Sequence, residues 1–315
     1  MIRSLNPRFA MATMVVAGLL FASLMVGEYN IFSPGGWEMM MITRIPRTIA
    51  LVLSGAALAM SGLLMQLLTQ NRFVEPTTTG TTEWAGLGLL ISLIFFPEAG
   101  VLQRMVMAVL CSFIGTMVFF AFLRKVSLKQ SLVVPIMGIM LGAVVGALST
   151  FLALEFDALQ SLAVWFQGSF TSVYQGQYEV LWLVLLVVIA VFWGADYFTA
   201  VGLGQDIATN LGVPYQRLVF FGTALIALAT GVVTVVAGNL PFLGLIVPNI
   251  VSRFRGDNLQ SNLSWVCLLG IGIVTASDLL ARTIISPFEI PVSVVLGIIG
   301  AVFFVILIVR SSNER

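Results

Sequence analysis

The sequence predicts an all-α integral membrane protein of about ten transmembrane helices, with its N-terminus and C-terminus both cytoplasmic. Three observations carry this reading. The 315 residues are 59% hydrophobic and only 9% charged, against about 25% charged in an ordinary globular chain, and the mean hydropathy is +1.05. Apolar runs of roughly 20 residues, the length a helix needs to cross a bilayer, recur along the whole chain. The basic residues fall mainly into alternate connections between those runs.

Composition also excludes function classes. A net charge of +1 argues against an overall basic nucleic-acid binder, and the absence of histidine removes His-ligated metals and Ser-His catalysis. Cys111 and Cys267 both lie inside apolar runs, so neither a disulfide framework nor a thiolate metal site is indicated. No metal and no cofactor are expected.

The first apolar run, 9–26, follows Arg3 and Arg8. A cleaved signal sequence begins in a similar way, but its core has about 7–15 residues. This run is longer, and 27–30 offers no small-residue cleavage site before the Pro34-Gly35 turn, so a retained helix is expected. The next runs are 48–68, 80–96, 101–123, 132–154, 180–198, 218–236, 242–251, 263–281 and 291–309, which makes ten. The eighth is too short to cross alone and is expected to begin earlier, near Ala237. Its Gly238, Pro241, Gly244 and Pro248 predict a broken or kinked helix. Membranes tolerate such breaks only where protein or a water-filled cavity satisfies the freed backbone groups.

With the N-terminus inside, Arg3, Arg8, Arg72, Arg124, Lys125, Lys129, Arg217, Arg253, Arg255, Arg310 and Arg315 are cytoplasmic, eleven of the fifteen basic residues. Arg44, Arg47, Arg104 and Arg282 remain outside. The connection 155–179 lies outside and carries Trp165-Phe166-Gln167-Gly168, which reads as a short interfacial helix and turn. The connection 196–217 lies inside. No linker divides the chain, so residues 1–315 are expected to form a single transmembrane domain.

Several constellations are candidates for function. Neither Lys125 nor Lys129 follows a glycine, so the chain lacks a G-x-x-x-x-G-K-[ST] phosphate loop and any nucleotide site of that kind. Acids within the apolar runs are few, among them Glu83 and Asp278. That is thin equipment for an ion-coupled transporter, which needs acids or histidine near the midplane, although Glu83 keeps that reading open. A membrane enzyme is weaker still, for want of clustered catalytic groups. Gly55, Ala59 and Gly62 share a helix face that lets another helix approach closely. Gln66 on that face either bonds across a helix pair or lines a pathway. In 203–214, Leu203, Ile207 and Leu211 recur four residues apart before Gly212 and Pro214, a short amphipathic helix whose stripe needs a partner. That partner is the membrane interface, the chain's own bundle or another protein, because so short a helix is marginal alone.

Taken in order, further motifs form a recognisable set. They are Arg44-Ile45-Pro46-Arg47-Thr48, the Gly55 to Gly62 stretch with Gln66, Asn71-Arg72-Phe73-Val74-Glu75-Pro76, Leu203-Gly204 with Leu211-Gly212, Phe242-Leu243-Gly244-Leu245-Ile246-Val247-Pro248, Asp278-Leu279-Leu280-Ala281-Arg282 and Glu289-Ile290-Pro291-Val292. This set resembles the permease subunits of ABC importers for iron–siderophore complexes, haem and cobalamin (the FecCD-type permeases), from about Arg44 to Val309. The chain departs from the pattern at Asn249, often His, at Val302, commonly Pro, and at Val74, often Ala.

The resemblance implies a multi-pass subunit of the bacterial cytoplasmic membrane, not itself an enzyme. It would pair with a second permease, a copy or a paralogue, and work with two cytoplasmic ABC ATPases and an extracytoplasmic substrate-binding protein, in membrane lipid and without nucleic acid. An iron–siderophore cargo is the first expectation, with cobalamin or haem as the alternative. By the same resemblance, Arg44, Arg47 and Arg282 dock the binding protein, Leu203, Ile207, Leu211 and Gly212 contact the ATPase, and Gln66, Gln130 and Ser131 belong to the pathway and its gate. Headgroup anchoring by Arg44 and Arg47, pairing of Arg282 with Asp278, and a merely solvated loop at Lys129-Gln130-Ser131-Leu132 are the alternatives.

Overall fold

The computed structural model describes residues 7–27, 33–125 and 132–313, and among them the chain is built of helices. In order these are α1 (Pro7–Met25), α2 (Gly36–Met39), α3 (Ile45–Thr69), α4 (Thr81–Phe95), α5 (Val101–Leu123), α6 (Val133–Glu155) and α7 (Leu159–Phe166). There follow α8 (Val184–Trp193), α9 (Ala195–Gly202), α10 (Gln205–Asn210), α11 (Tyr215–Ala237), α12 (Leu243–Arg255), α13 (Leu259–Thr283) and α14 (Val292–Asn313). Each of the ten apolar runs lies on a helix, but they are not ten equal spans. Seven helices among the described residues are long and apolar enough to cross a membrane, and a bent pair makes an eighth.

The bent pair corrects the sixth run. Residues 179–193 and 195–202 meet at 70° rather than forming one helix. Gly194 stands at the corner, where a Cβ would come within 3.0 Å of the Phe198 ring and 3.1 Å of the Ala190 carbonyl oxygen. The missing side chain lets the chain fold back on itself there.

Helix α3 is the axis of the bundle, buried along most of its length between Ala50 and Thr69. Lipid tails are as apolar as leucine, so packing rather than the hydrophobic effect joins helices in a membrane, and small residues set how closely they approach. Gly55 meets α13, where an added Cβ would lie 2.8 Å from the Gly270 carbonyl oxygen, and Gly62 meets the backbone of Gly244 on α12. The small-residue face therefore packs against two helices. By contrast α1, α6 and α14 expose Met14, Val144 and Ile298 among other apolar side chains, as lipid-facing or subunit-facing helices do.

Two helices are short for a reason. The 13-residue α12 begins beside Gly62 and runs toward the end of the bundle that carries Arg72, where Arg72 pairs with Asp257 at 2.7 Å. The 15-residue α4 begins where Gly80 touches Gly142 of α6 and runs the opposite way, to Phe95. Both therefore start inside the bundle. The eighth run does not extend back to Ala237: α11 ends there, and residues 238–242 are an open turn with positive φ at Gly238 (76°) and Phe242 (63°).

Candidate docking, coupling and pathway sites

The turn before α12 leaves backbone N–H groups without helical partners, as every helix start does. Inside a bundle no bulk water can take them. Glu75 does so: its Oε1 accepts the Phe242 N–H at 2.8 Å and its Oε2 accepts the Leu245 N–H at 3.1 Å. Its carboxylate also accepts from the Thr77 hydroxyl, and its own N–H donates to Thr78 Oγ1 at 2.9 Å. A carboxylate at a helix N-terminus is favoured by the helix dipole as well as by these bonds. The segment that follows is tied down by hydroxyls, Thr79 to Thr81 at 3.0 Å and Thr81 to Thr116 at 2.9 Å. One buried acid thus joins the 71–80 segment to the broken eighth run. Gln66 lies next to this junction, donating to the Gly244 carbonyl at 3.4 Å. It also lines a cavity of about 310 Å³ toward the Arg72 end, with Gln70, Asn249 and Asn262. Both roles open to Gln66 are thereby compatible.

At the opposite end the arginines enter a shared ion cluster. Arg47 pairs with Asp278 at 2.8 Å and with Glu289 at 2.9 Å, and Arg282 pairs with the other Asp278 oxygen at 2.8 Å. Arg282 further donates to the Ser23 and Val26 carbonyls and to Ser23 Oγ, at 3.3, 3.1 and 2.9 Å. Asp278 is wholly buried between the two guanidiniums. Glu289 accepts a further bond from Thr171 at 2.6 Å. Burial alone would push its carboxyl up, but Arg47 and Thr171 outweigh that and hold it below the ordinary carboxylate range. Arg44 reaches the end of α1. It ends a turn of π-helix, Met40–Arg44, before α3 begins, and donates to the Leu24 and Met25 carbonyls, both at 3.0 Å. The pairing of Arg282 with Asp278 is present, and Arg44, Arg47 and Arg282 all point largely into protein. The side chains of Arg47 and Arg282 are only 12% and 6% exposed.

The Leu203–Leu211 segment behaves in the opposite way. Leu203, Ile207 and Leu211 are 55%, 49% and 62% exposed, while Ala208 between them is buried. The stripe is interrupted, since Leu203 ends α9 and Gly204 (φ 107°) separates it from α10. Gly212 closes the segment at φ 76°, a conformation glycine adopts without strain. Gln130 and Ser131 lie outside the described residues.

A second cavity, about 540 Å³, lies at the Arg47 end between α4, α5, α7 and α11. Arg104, Gln167, Thr171 and Glu289 are among its lining residues. The short helix α7 and the turn after it, around Trp165-Phe166-Gln167-Gly168, form one wall.

The FecCD transport family model matches residues 10–310. The chain belongs to the FecCD transport family. It is 57% identical over 308 residues to the petrobactin import system permease protein FatD of Bacillus anthracis, covering 98% of this chain and 92% of that one. It is 35% identical to the ferric-anguibactin transport system permease protein FatD of Vibrio anguillarum, covering 96% and 98%. Among solved structures, a metal-chelate-type ABC transporter in an inward-facing conformation matches at a TM-score of 0.83 and 24% identity, over 96% of this chain and 99% of that one. That last likeness concerns the fold.

Family membership accounts for the motifs, but two site residues escaped sequence reasoning. Glu75 stood inside a quoted motif without a role. Its signal was the predicted break after Ala237, which demands a buried acceptor. Glu289 likewise looked like a motif residue, and nothing in its spacing announced Arg47 as its partner, 242 positions away.

Proposed function

We propose that this chain is the membrane permease subunit of an ABC importer that moves an iron–siderophore complex from an extracytoplasmic binding protein into the cytoplasm, with ATP hydrolysed on separate subunits. The observation that carries the cargo is the extensive identity, across nearly the whole chain, to the permease named for petrobactin import. The permease named for ferric anguibactin supports the same chemistry. Iron travels already chelated, so the pathway needs no metal ligands of its own.

The chain crosses the membrane ten times with both termini in the cytoplasm. The seven long helices and the bent pair supply eight crossings, and α4 and α12 join with the segments before them to supply the rest. The charge bias supports this orientation, which puts the Arg47 end outside. Leu203, Ile207, Leu211 and Gly212 seat in an apolar groove of the ATPase, an exposed stripe of the kind helix-in-groove contacts use. The binding protein docks over the arginine cluster. Because Arg47 already holds Glu289, an incoming acidic side chain docks by exchanging with that carboxylate. The partner permease, copy or paralogue, covers part of the apolar surface of α6 and α14. Gln66, Gln130 and Ser131 belong to the pathway and its gate.

Reconstitution with the ATPases, a second permease and the binding protein tests this reading. Uptake of ferric siderophore should persist when ion gradients are collapsed and stop when ATP is withdrawn. Leu211→Asp should abolish uptake while the permease melts as the parent does. Uptake that follows an ion gradient without ATP would sink the proposal.

A further inference from the structure

Four basic residues lie at the end the charge bias places outside, and the ion cluster and its carbonyl partners occupy three of them. The fourth is Arg104, in the first turn of α5, and it lines the 540 Å³ cavity. Its guanidinium makes no hydrogen bond or ion pair with any described residue, and its Nε is buried without a partner. A buried donor left without an acceptor is unfavourable, so a guanidinium whose Nε is unsatisfied beside a cavity points to a ligand that supplies the missing acceptor. The cavity's own acid cannot do so. The Glu289 carboxylate is already engaged by Arg47 through two bonds, at 3.1 and 2.9 Å, and by Thr171. Arg47, Arg282, Asp278 and Glu289 sum to zero charge, which leaves Arg104 as the cavity's uncompensated charge. Around it stand neutral hydrogen-bonding groups, Gln167, Ser169, Ser172 and Gln177.

We infer that this cavity is a binding site for the anionic part of the cargo, and that Arg104 selects it by pairing with a carboxylate or phenolate oxygen. The inference rests on the chelate-import reading above. A ferric ion wrapped by more oxyanion ligands than its charge balances carries net negative charge. Such a complex fits a site with one fixed cation and several neutral hydrogen-bonding groups. A cavity of about 540 Å³ falls within the usual range for small-molecule sites, about 300–1,000 Å³. Arginine keeps its charge throughout the physiological range and matches a carboxylate bidentately. The same oxyanion chemistry is available from an acidic side chain of the docked binding protein. Binding of the chelate in the absence of the binding protein tells the two sources apart.

The test titrates the complete importer, without binding protein, against two probes: ferric citrate, which is anionic, and a cationic ferric tris-hydroxamate. Quenching of Trp165, which lines the cavity, reports binding, with Trp165→Phe as control. Arg104→Gln should weaken ferric citrate about tenfold, the scale of one charge-assisted hydrogen bond, and leave the cationic chelate unchanged or tighter. Arg104→Lys should recover part of the loss, and both variants should melt as the parent does. Equal affinity of parent and Arg104→Gln for ferric citrate, or an equal loss for both probes, overturns the inference. Weaker docking of the binding protein to Arg104→Gln with ferric citrate binding intact overturns it too, because the oxyanion is then the partner's. With the binding protein and ATP added back, a parent importer that takes up no ferric chelate defeats the cargo reading itself. Uptake by the parent with selectivity unmoved in Arg104→Gln defeats only the role of Arg104.

Discussion

The middle of the bundle and its Arg47 end both bury carboxylates, and they satisfy them by different means. Glu75 is held by backbone N–H groups and hydroxyls, donors fixed by the path of the chain. Asp278 and Glu289 are held by arginine side chains, which have rotamers to spare. Neutral backbone donors cannot leave without unfolding the turn they belong to, whereas a guanidinium can exchange one carboxylate for another. The middle therefore reads as architecture, and the end as a surface on which partners can be swapped.

The largest effect belongs to the middle. Gly62→Val would drive a side chain into the backbone of Gly244, which cannot step aside as a side-chain tip can. A cost on the order of 5 kcal/mol or more follows, read as loss of folded permease from detergent extracts. Gly146→Ala, at a helical glycine with open space around it, should leave yield and melting unchanged. If both glycines tolerate alanine-sized or larger groups equally, the close crossing of α3 and α12 is not what organises the middle.

Next comes Asp278. Its removal strips two buried guanidiniums of their common counter-charge, so Asp278→Ala should cost about 3–5 kcal/mol, visible as a lower melting temperature. Asp278→Ala combined with Arg282→Met should recover part of the loss, because the second change removes one stranded charge. Glu75→Ala follows, at about 1–3 kcal/mol for backbone donors left buried without an acceptor. Glu75→Gln should cost less, since its carbonyl keeps one of those bonds. A Glu75→Ala permease that melts with the parent would show that water replaces the carboxylate and that Glu75 does not hold the middle together.

These contrasts also mark what the sequence could reveal. Helices with strong apolar runs were legible, and 101–123 agrees with α5 to the residue, because hydrocarbon permits only internally satisfied backbone there. A break in the eighth run was legible from its glycines and prolines, but its helix begins at Leu243 and not near Ala237. The 70° corner at Gly194 was hidden, since a single glycine in an apolar run also occurs in straight helices. From the sequence, Arg44 and Arg47 were candidates for docking or for headgroup anchoring. The turn of π-helix that ends at Arg44, and the long-range partners of each, could not be read from local spacing. Long-range charge pairing is settled by topology, and one sequence does not display topology at that distance.

The smallest expected effect concerns Glu289, and it separates the two kinds of carboxylate most finely. Its carboxyl is lowered because Arg47 and Thr171 stabilise the charged form more than burial opposes it. A group lowered in the folded state contributes stability that is fully present above its ordinary value of 4.5, and loses it as the pH falls through the lowered folded value. Glu289→Gln should therefore lower the melting temperature slightly and by the same amount at every pH from about 5 to 8. The gap to the parent should close only under more acid conditions, where both side chains are neutral. The same variant frees Arg47 from its exchangeable partner, so the binding protein should dock on it more tightly at low salt. A gap that varies between pH 5 and 8 would mean another group controls the cluster. Unchanged docking would mean Glu289 is not the carboxylate that gives way.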